Sequence, residues 1–124
     1  MLRKDKIAIQ KIVSEMNVGM KLLGETSLDD FLENEMLKRA LGMTVINIGE
    51  LTKVISDELR DRHKDFPWRA VAGMRDITAH RYQTLRMEDV YTTVRDEYSI
   101  LKSQLEQILI NENENTRIFK DKNL

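Results

Sequence analysis

Apolar residues recur at helical spacing along most of this chain. Ile9, Val13, Met16, Met20 and Leu23 alternate spacings of four and three, which draws one stripe along a first helix. Gly24 and Ser27 interrupt it. Ser27-Leu28-Asp29-Asp30 can then cap a short extra helix, the serine oxygen accepting from a free backbone amide while the carboxylates suit the positive end of the helix. The spacing returns at Leu37 and continues through Leu41, Thr44, Ile48, Leu51, Ile55 and Leu59, predicting a second long helix over about residues 35 to 60, open to interruption near Ser56. Pro67 suits the first turn of a third helix, where its missing N–H is not needed. Trp68, Val71, Ala72, Arg75, Thr78 and Ala79 then share a face, with Arg75 pointing inward. A fourth helix is expected to start near Glu88 and Asp89 and to carry Val90, Val94, Tyr98, Leu101, Leu105 and Ile108 on its apolar side.

Four amphipathic helices on short connections bury their stripes most simply as an all-α, antiparallel, up-down four-helix bundle, here with one short additional helix. The length of 124 residues is enough for one core. We expect a single bundle domain over residues 1–110 and a polar, frayed tail over 111–124. The Met and Leu stripes read as core packing, with no cofactor needed to explain them. Trp68 is expected as a core or dimer anchor, and Tyr91 and Tyr98 as core residues.

Composition narrows the classes. Hydrophobic residues at 41% and charged residues at 33%, with five Gly and one Pro, fit a globular chain of long regular segments. With no cysteine, disulfides and thiolate metal sites are excluded, which suits a reducing compartment and points to the cytoplasm. The N-terminal residues form no signal-like apolar run, and no stretch is long enough to span a membrane. The net charge of -1 conceals an asymmetry: residues 60 to 86 hold seven basic and three acidic residues, a balance of +4, while the remaining thirteen basic and eighteen acidic residues give -5. That excess can attract an anion, although exposed helix faces also collect arginine.

The densest chemistry is in Arg75-Asp76-Ile77-Thr78-Ala79-His80-Arg81-Tyr82. In a continuous α-helix Arg75 and His80 are separated by about 500° of turn, some 140° apart, too far round for one cluster. A helix ending near Ala79 would let His80 swing back towards Arg75, and in an extended stretch Tyr82 could join it. Such a group suits phosphodiester cleavage: histidine can take a proton from a ribose 2′-hydroxyl, and arginine offers fixed donors to a phosphate whose charge grows in the transition state. The same residues also admit a purely structural reading, His80 capping carbonyls at a helix end and Arg75 pairing with a carboxylate such as Glu50. Glu50 could equally pack at the helix interface. His63, in a charged turn, has no partner at metal-ligand spacing and is expected in solvent.

Asn47-Ile48-Gly49-Glu50, Ser56-Asp57-Glu58-Leu59-Arg60 and the run Pro67-Trp68-Arg69-Ala70-Val71-Ala72-Gly73-Met74-Arg75 through Asp76-Ile77-Thr78-Ala79-His80-Arg81-Tyr82 together resemble the HepT-type proteins of the HEPN superfamily. The resemblance spans most of the chain. It implies a helical-bundle toxin of a type VII-like toxin-antitoxin pair, a homodimer acting as a metal-independent endoribonuclease on RNA. The signature of that branch is an arginine, four to six residues, a histidine, and a tyrosine two positions on; Arg75, His80 and Tyr82 match it. By resemblance, His80 is the acid or base, Arg75 stabilises the phosphate and Asp76 can orient the arginine; Glu50 stands beside them as a supporting candidate that anchors Arg75 or packs at the helix interface. The implied product is a 2′,3′-cyclic phosphate. A minimal nucleotidyltransferase antitoxin is the implied partner, silencing the toxin by attaching AMP to Tyr82. No metal and no cofactor are implied. A second reading is a non-catalytic module that docks a nucleotidyltransferase and binds nucleotide or RNA. Arg81 and Gln83 carry no role in the pattern.

Overall fold

The computed structural model describes residues 1–73 and 86–122, with side chains to residue 114. The chain forms α1 (Arg3–Leu23), α2 (Leu28–Leu32), α3 (Glu35–Lys53), α4 (Asp57–Arg62), α5 from residue 68 and described to 73, α6 (Met87–Thr92), a π-helical turn (Thr93–Glu97) and α7 (Tyr98–Lys122). Polar side chains set three of these starts: Ser27 Oγ accepts from Asp30 N, Asn34 Oδ1 from Leu37 N and Ser56 Oγ from Leu59 N. Gly24 closes α1 at φ 49°, a left-handed conformation that suits glycine.

α1 runs antiparallel to both α3 and α7. Asn47 reaches Glu15, and Ser56 reaches Asp5, so α1 and α3 are antiparallel. α1 also packs along α7 and the π turn, which makes it the central rod. Its buried stripe is Asp5, Ala8, Ile9, Ile12, Met16, Gly19 and Leu23, one residue round from the expected line; Val13 and Met20 flank it, partly buried. The rotation follows from a polar pin. Asp5 is 1% exposed and its carboxylate accepts from Ser56 N at 2.9 Å and Ser56 Oγ at 2.5 Å, which ties the start of α1 to the start of α4.

At mid-bundle the three long helices meet around Tyr98. Its ring is fully buried and its hydroxyl bonds Thr44 Oγ1 at 2.8 Å; burial pushes the phenol up to about 12. A Cβ on Gly19 would stand 2.7 Å from Tyr98 Cε2, so α1 and α7 approach this closely only because that position is glycine. The π turn serves the same packing. Val90, Val94 and Tyr98 are spaced four and four, and each step of four overshoots an α-helical turn by about 40°. A wider turn at Thr93–Glu97 keeps all three on the buried face.

The described residues are all helix and connection, as expected. The predicted break near Ser56 is real, and Ser56 caps a separate α4. Pro67 precedes the first helical residue of α5, Trp68. α5 is described over residues 68–73, and the rest of the expected third helix lies outside the described residues. α7 remains helical to Lys122, and Glu112 within it is buried, so packing continues beyond residue 110 where the sequence suggested a frayed tail. Among the described residues, no helix is long and apolar enough to cross a membrane.

Candidate active site

Arg75, Asp76, His80 and Tyr82 lie outside the described residues, so the structure speaks to the frame that holds them. Glu50, the other residue of the expected group, is exposed on α3 and lines a cleft of about 360 Å³ with Lys11, Ser14, Glu15 and Asn47.

On the N-terminal side the frame is a polar and aromatic knot between α4, α5 and α7. Trp68 is 6% exposed, its Nε1–H donates to His63 O at 2.9 Å, and its ring lies 4.5 Å from that of Phe66. Val71, one turn on, is buried. The first turn of α5 is therefore fixed by packing. On the C-terminal side, Val90 and Tyr91 are buried; the Tyr91 hydroxyl donates to Thr26 O at 2.7 Å and its ring packs on Phe31. Both ends of the motif segment thus leave the core at firmly packed points.

His63 departs from expectation. It is not a solvent residue: its side chain is 15% exposed, and Nε2 is 2.8 Å from Glu112 Oε2. Arg62 approaches the same carboxylate with two donors, Nη2 to Oε1 at 2.7 Å and Nε to Oε2 at 3.2 Å, and the Met1 ammonium is 3.7 Å away. The reason is the surroundings. Leu101, Leu105, Ile108 and Glu112 follow spacings of four, three and four, so Glu112 continues the buried stripe of α7 and draws cations to itself. The Arg62 guanidinium lowers the Glu112 carboxyl to about 2, against the opposing effect of burial and with help from His63. His63 in turn offers its carbonyl to Trp68, so Glu112 positions the start of α5 through one intermediary.

Sequence reasoning missed this cluster because 49 residues separate His63 and Glu112. The one available signal was a carboxylate at the next stripe position after Ile108. A pH dependence follows. A carboxylate depressed in the folded state stabilises above its ordinary value of 4.5, and that stabilisation disappears as pH falls towards 2. Denaturant titrations across this window should show a loss of about 1–2 kcal/mol, a discounted figure because Arg62 is largely open to water. Glu112→Gln should remove that part of the slope; an unchanged acid profile in the variant would contradict the assignment.

Comparison with known proteins finds relatives that span most of the chain. The chain is 30% identical over 101 residues to a protein named "Putative RNase" in Caldanaerobacter subterraneus subsp. tengcongensis, covering 82% of this chain and 90% of that one. It is 27% identical over 108 residues to "Probable ribonuclease HepT" of Thermococcus cleftensis, covering 87% of this chain and 98% of that one. No solved structure matches. The family model "Ribonuclease HepT-like" matches residues 9–108, a span that contains the whole motif segment and both of its anchors, and the chain therefore belongs to the HepT-like ribonuclease family.

Proposed function

We propose that the protein is the toxin of a toxin-antitoxin pair and cleaves RNA as a metal-independent endoribonuclease. The observation that carries this reading is the Arg75-x4-His80-x-Tyr82 sequence inside a chain of the HepT-like ribonuclease family. His80 takes the proton of a ribose 2′-hydroxyl; the 2′-oxygen attacks the adjacent phosphorus, and the 5′-oxygen leaves as a protonated hydroxyl. Arg75 neutralises the charge that grows on the non-bridging oxygens. The products are a 2′,3′-cyclic phosphate and a free 5′-hydroxyl. Asp76 and Glu50 are supporting carboxylates that orient the arginine.

A homodimer gives the proton transfers two histidines. Two motif segments facing each other across a two-fold axis supply one imidazole as base and one as acid. Tyr82 is the regulatory position: a nucleotidyltransferase antitoxin attaches AMP to it, which places negative charge and bulk where the RNA phosphate binds.

The test is to incubate the purified protein with total RNA in excess chelator and to analyse the new ends. Cut RNA ending in cyclic phosphate is the expected result. RNA left intact by a protein whose Tyr82 carries no added mass would overturn the nuclease and favour a binding module.

A further inference from the structure

Between α4 and the first turns of α5 lies a second cleft, of about 520 Å³, that the reaction above does not use. Its rim holds Arg60, Lys64 and Arg69, and among the described residues no acidic residue lines it. Lys64 and Arg69 are exposed, and neither forms an ion pair among the described residues. Arg62 on the same short helix is committed elsewhere, to Glu112.

Among the described residues Arg60 is held in place without being neutralised. Its Nη2 donates to Thr52 O at 2.6 Å, at the end of α3, and its buried Nε has no acceptor. A covered guanidinium N–H without a partner costs free energy, and such a group persists where another role retains it. The floor is different in kind. Pro67 and Ala70 are exposed there, backed by the buried rings of Phe66 and Trp68.

A flat apolar floor with an unneutralised cationic rim matches a ligand that is planar on one side and anionic on the other. A nucleotide has both parts, and the volume is in the range of small-ligand sites. We propose that the α4–α5 cleft is an RNA-binding subsite, holding a nucleotide of the substrate strand with its base over Pro67 and Ala70 and its phosphates on Lys64, Arg69 and Arg60. This rests on the ribonuclease reading. The subsite precedes the motif in sequence, Arg69 being six positions before Arg75, and the proposal seats the strand on the segment that leads to the reacting residues. The local charge balance of +4 over residues 60 to 86 then has a purpose: it raises the concentration of the strand beside the site that cuts it.

The experiment uses full-length protein carrying His80→Ala and a labelled single-stranded oligoribonucleotide, with binding followed by anisotropy over a salt series. Adding Lys64→Glu and Arg69→Glu should raise Kd about ten-fold or more and flatten the slope of log K against log salt by roughly 1.4, two phosphates at about 0.7 each. Lys21→Glu, near the end of α1, should leave the slope as it was. In the His80-intact protein the double reversal should raise KM while kcat holds, as expected for contacts that bind ground and transition states alike. Unchanged Kd, slope and KM in a protein that still cuts RNA would overturn the subsite and leave the nuclease standing. Failure of the unreversed protein to bind or cut RNA would overturn both.

Discussion

His80→Ala should lower RNA cleavage by roughly 10²–10⁴-fold while the protein melts at its usual temperature. The size follows from what a positioned acid or base contributes to proton transfer at oxygen, the step that otherwise limits attack by a 2′-hydroxyl near neutral pH. Arg75→Ala should act on kcat as well, because its donors address charge present only in the transition state. Combining the two variants separates a shared cleft from two independent ones. If both segments line one cleft, dimers mixed from His80→Ala and Arg75→Ala chains hold one histidine and one arginine in it and cleave measurably faster than either variant alone, which two self-contained clefts would not. A well-folded His80→Ala protein cutting RNA at the parental rate would remove His80 from the mechanism.

Trp68→Ala should cost about 3–5 kcal/mol of stability, a substantial share of the 5–15 kcal/mol typical of a domain. The indole is buried beside Phe66 and donates to the His63 carbonyl, so alanine leaves both a cavity and an orphaned acceptor. Its place matters more than its area. Trp68 is the first helical residue of α5, and α5 leads directly into the motif segment, so the loss reaches Arg75 through the backbone. Cleavage by the surviving folded fraction should fall too, even at saturating RNA. Trp68→Phe keeps most of the burial and loses the hydrogen bond, and should cost only about 1–2 kcal/mol. Denaturant curves followed by circular dichroism measure both; equal stability in the alanine variant and the parent would show that α5 is held by something else.

The fold was legible in the sequence where packing is periodic. The stripes of α3 and of the last helix, the cap at Ser27, the break near Ser56 and the burial of Tyr91 and Tyr98 all follow from spacing and side-chain chemistry that a single segment carries. What spacing cannot carry is a polar group whose partner is distant in sequence. Asp5 joins the buried face of α1 because of Ser56, and His63 turns inward because of Glu112; each pairing spans about half a hundred residues. The rotation of the α1 stripe by one residue is the trace of the first. The π turn is intermediate: the spacing of four and four at Val90, Val94 and Tyr98 announces a departure from the α-helix without saying which kind. The proposed catalytic group is the reverse case, since its residues were singled out through family resemblance and lie outside the described structure, whose contribution is the anchoring on either side.

Trp68 is the chain's one tryptophan, so the intrinsic emission of this protein is a single-site signal from the α4–α5 junction. Ellipticity, by contrast, sums over every helix. Where the two transitions coincide on unfolding, the junction and the bundle let go together; an emission change at lower denaturant would identify the entrance to the motif segment as the first part of the protein to open. The same indole backs the floor of the cationic cleft, which makes it an optical probe of RNA arriving there, with no label on either partner.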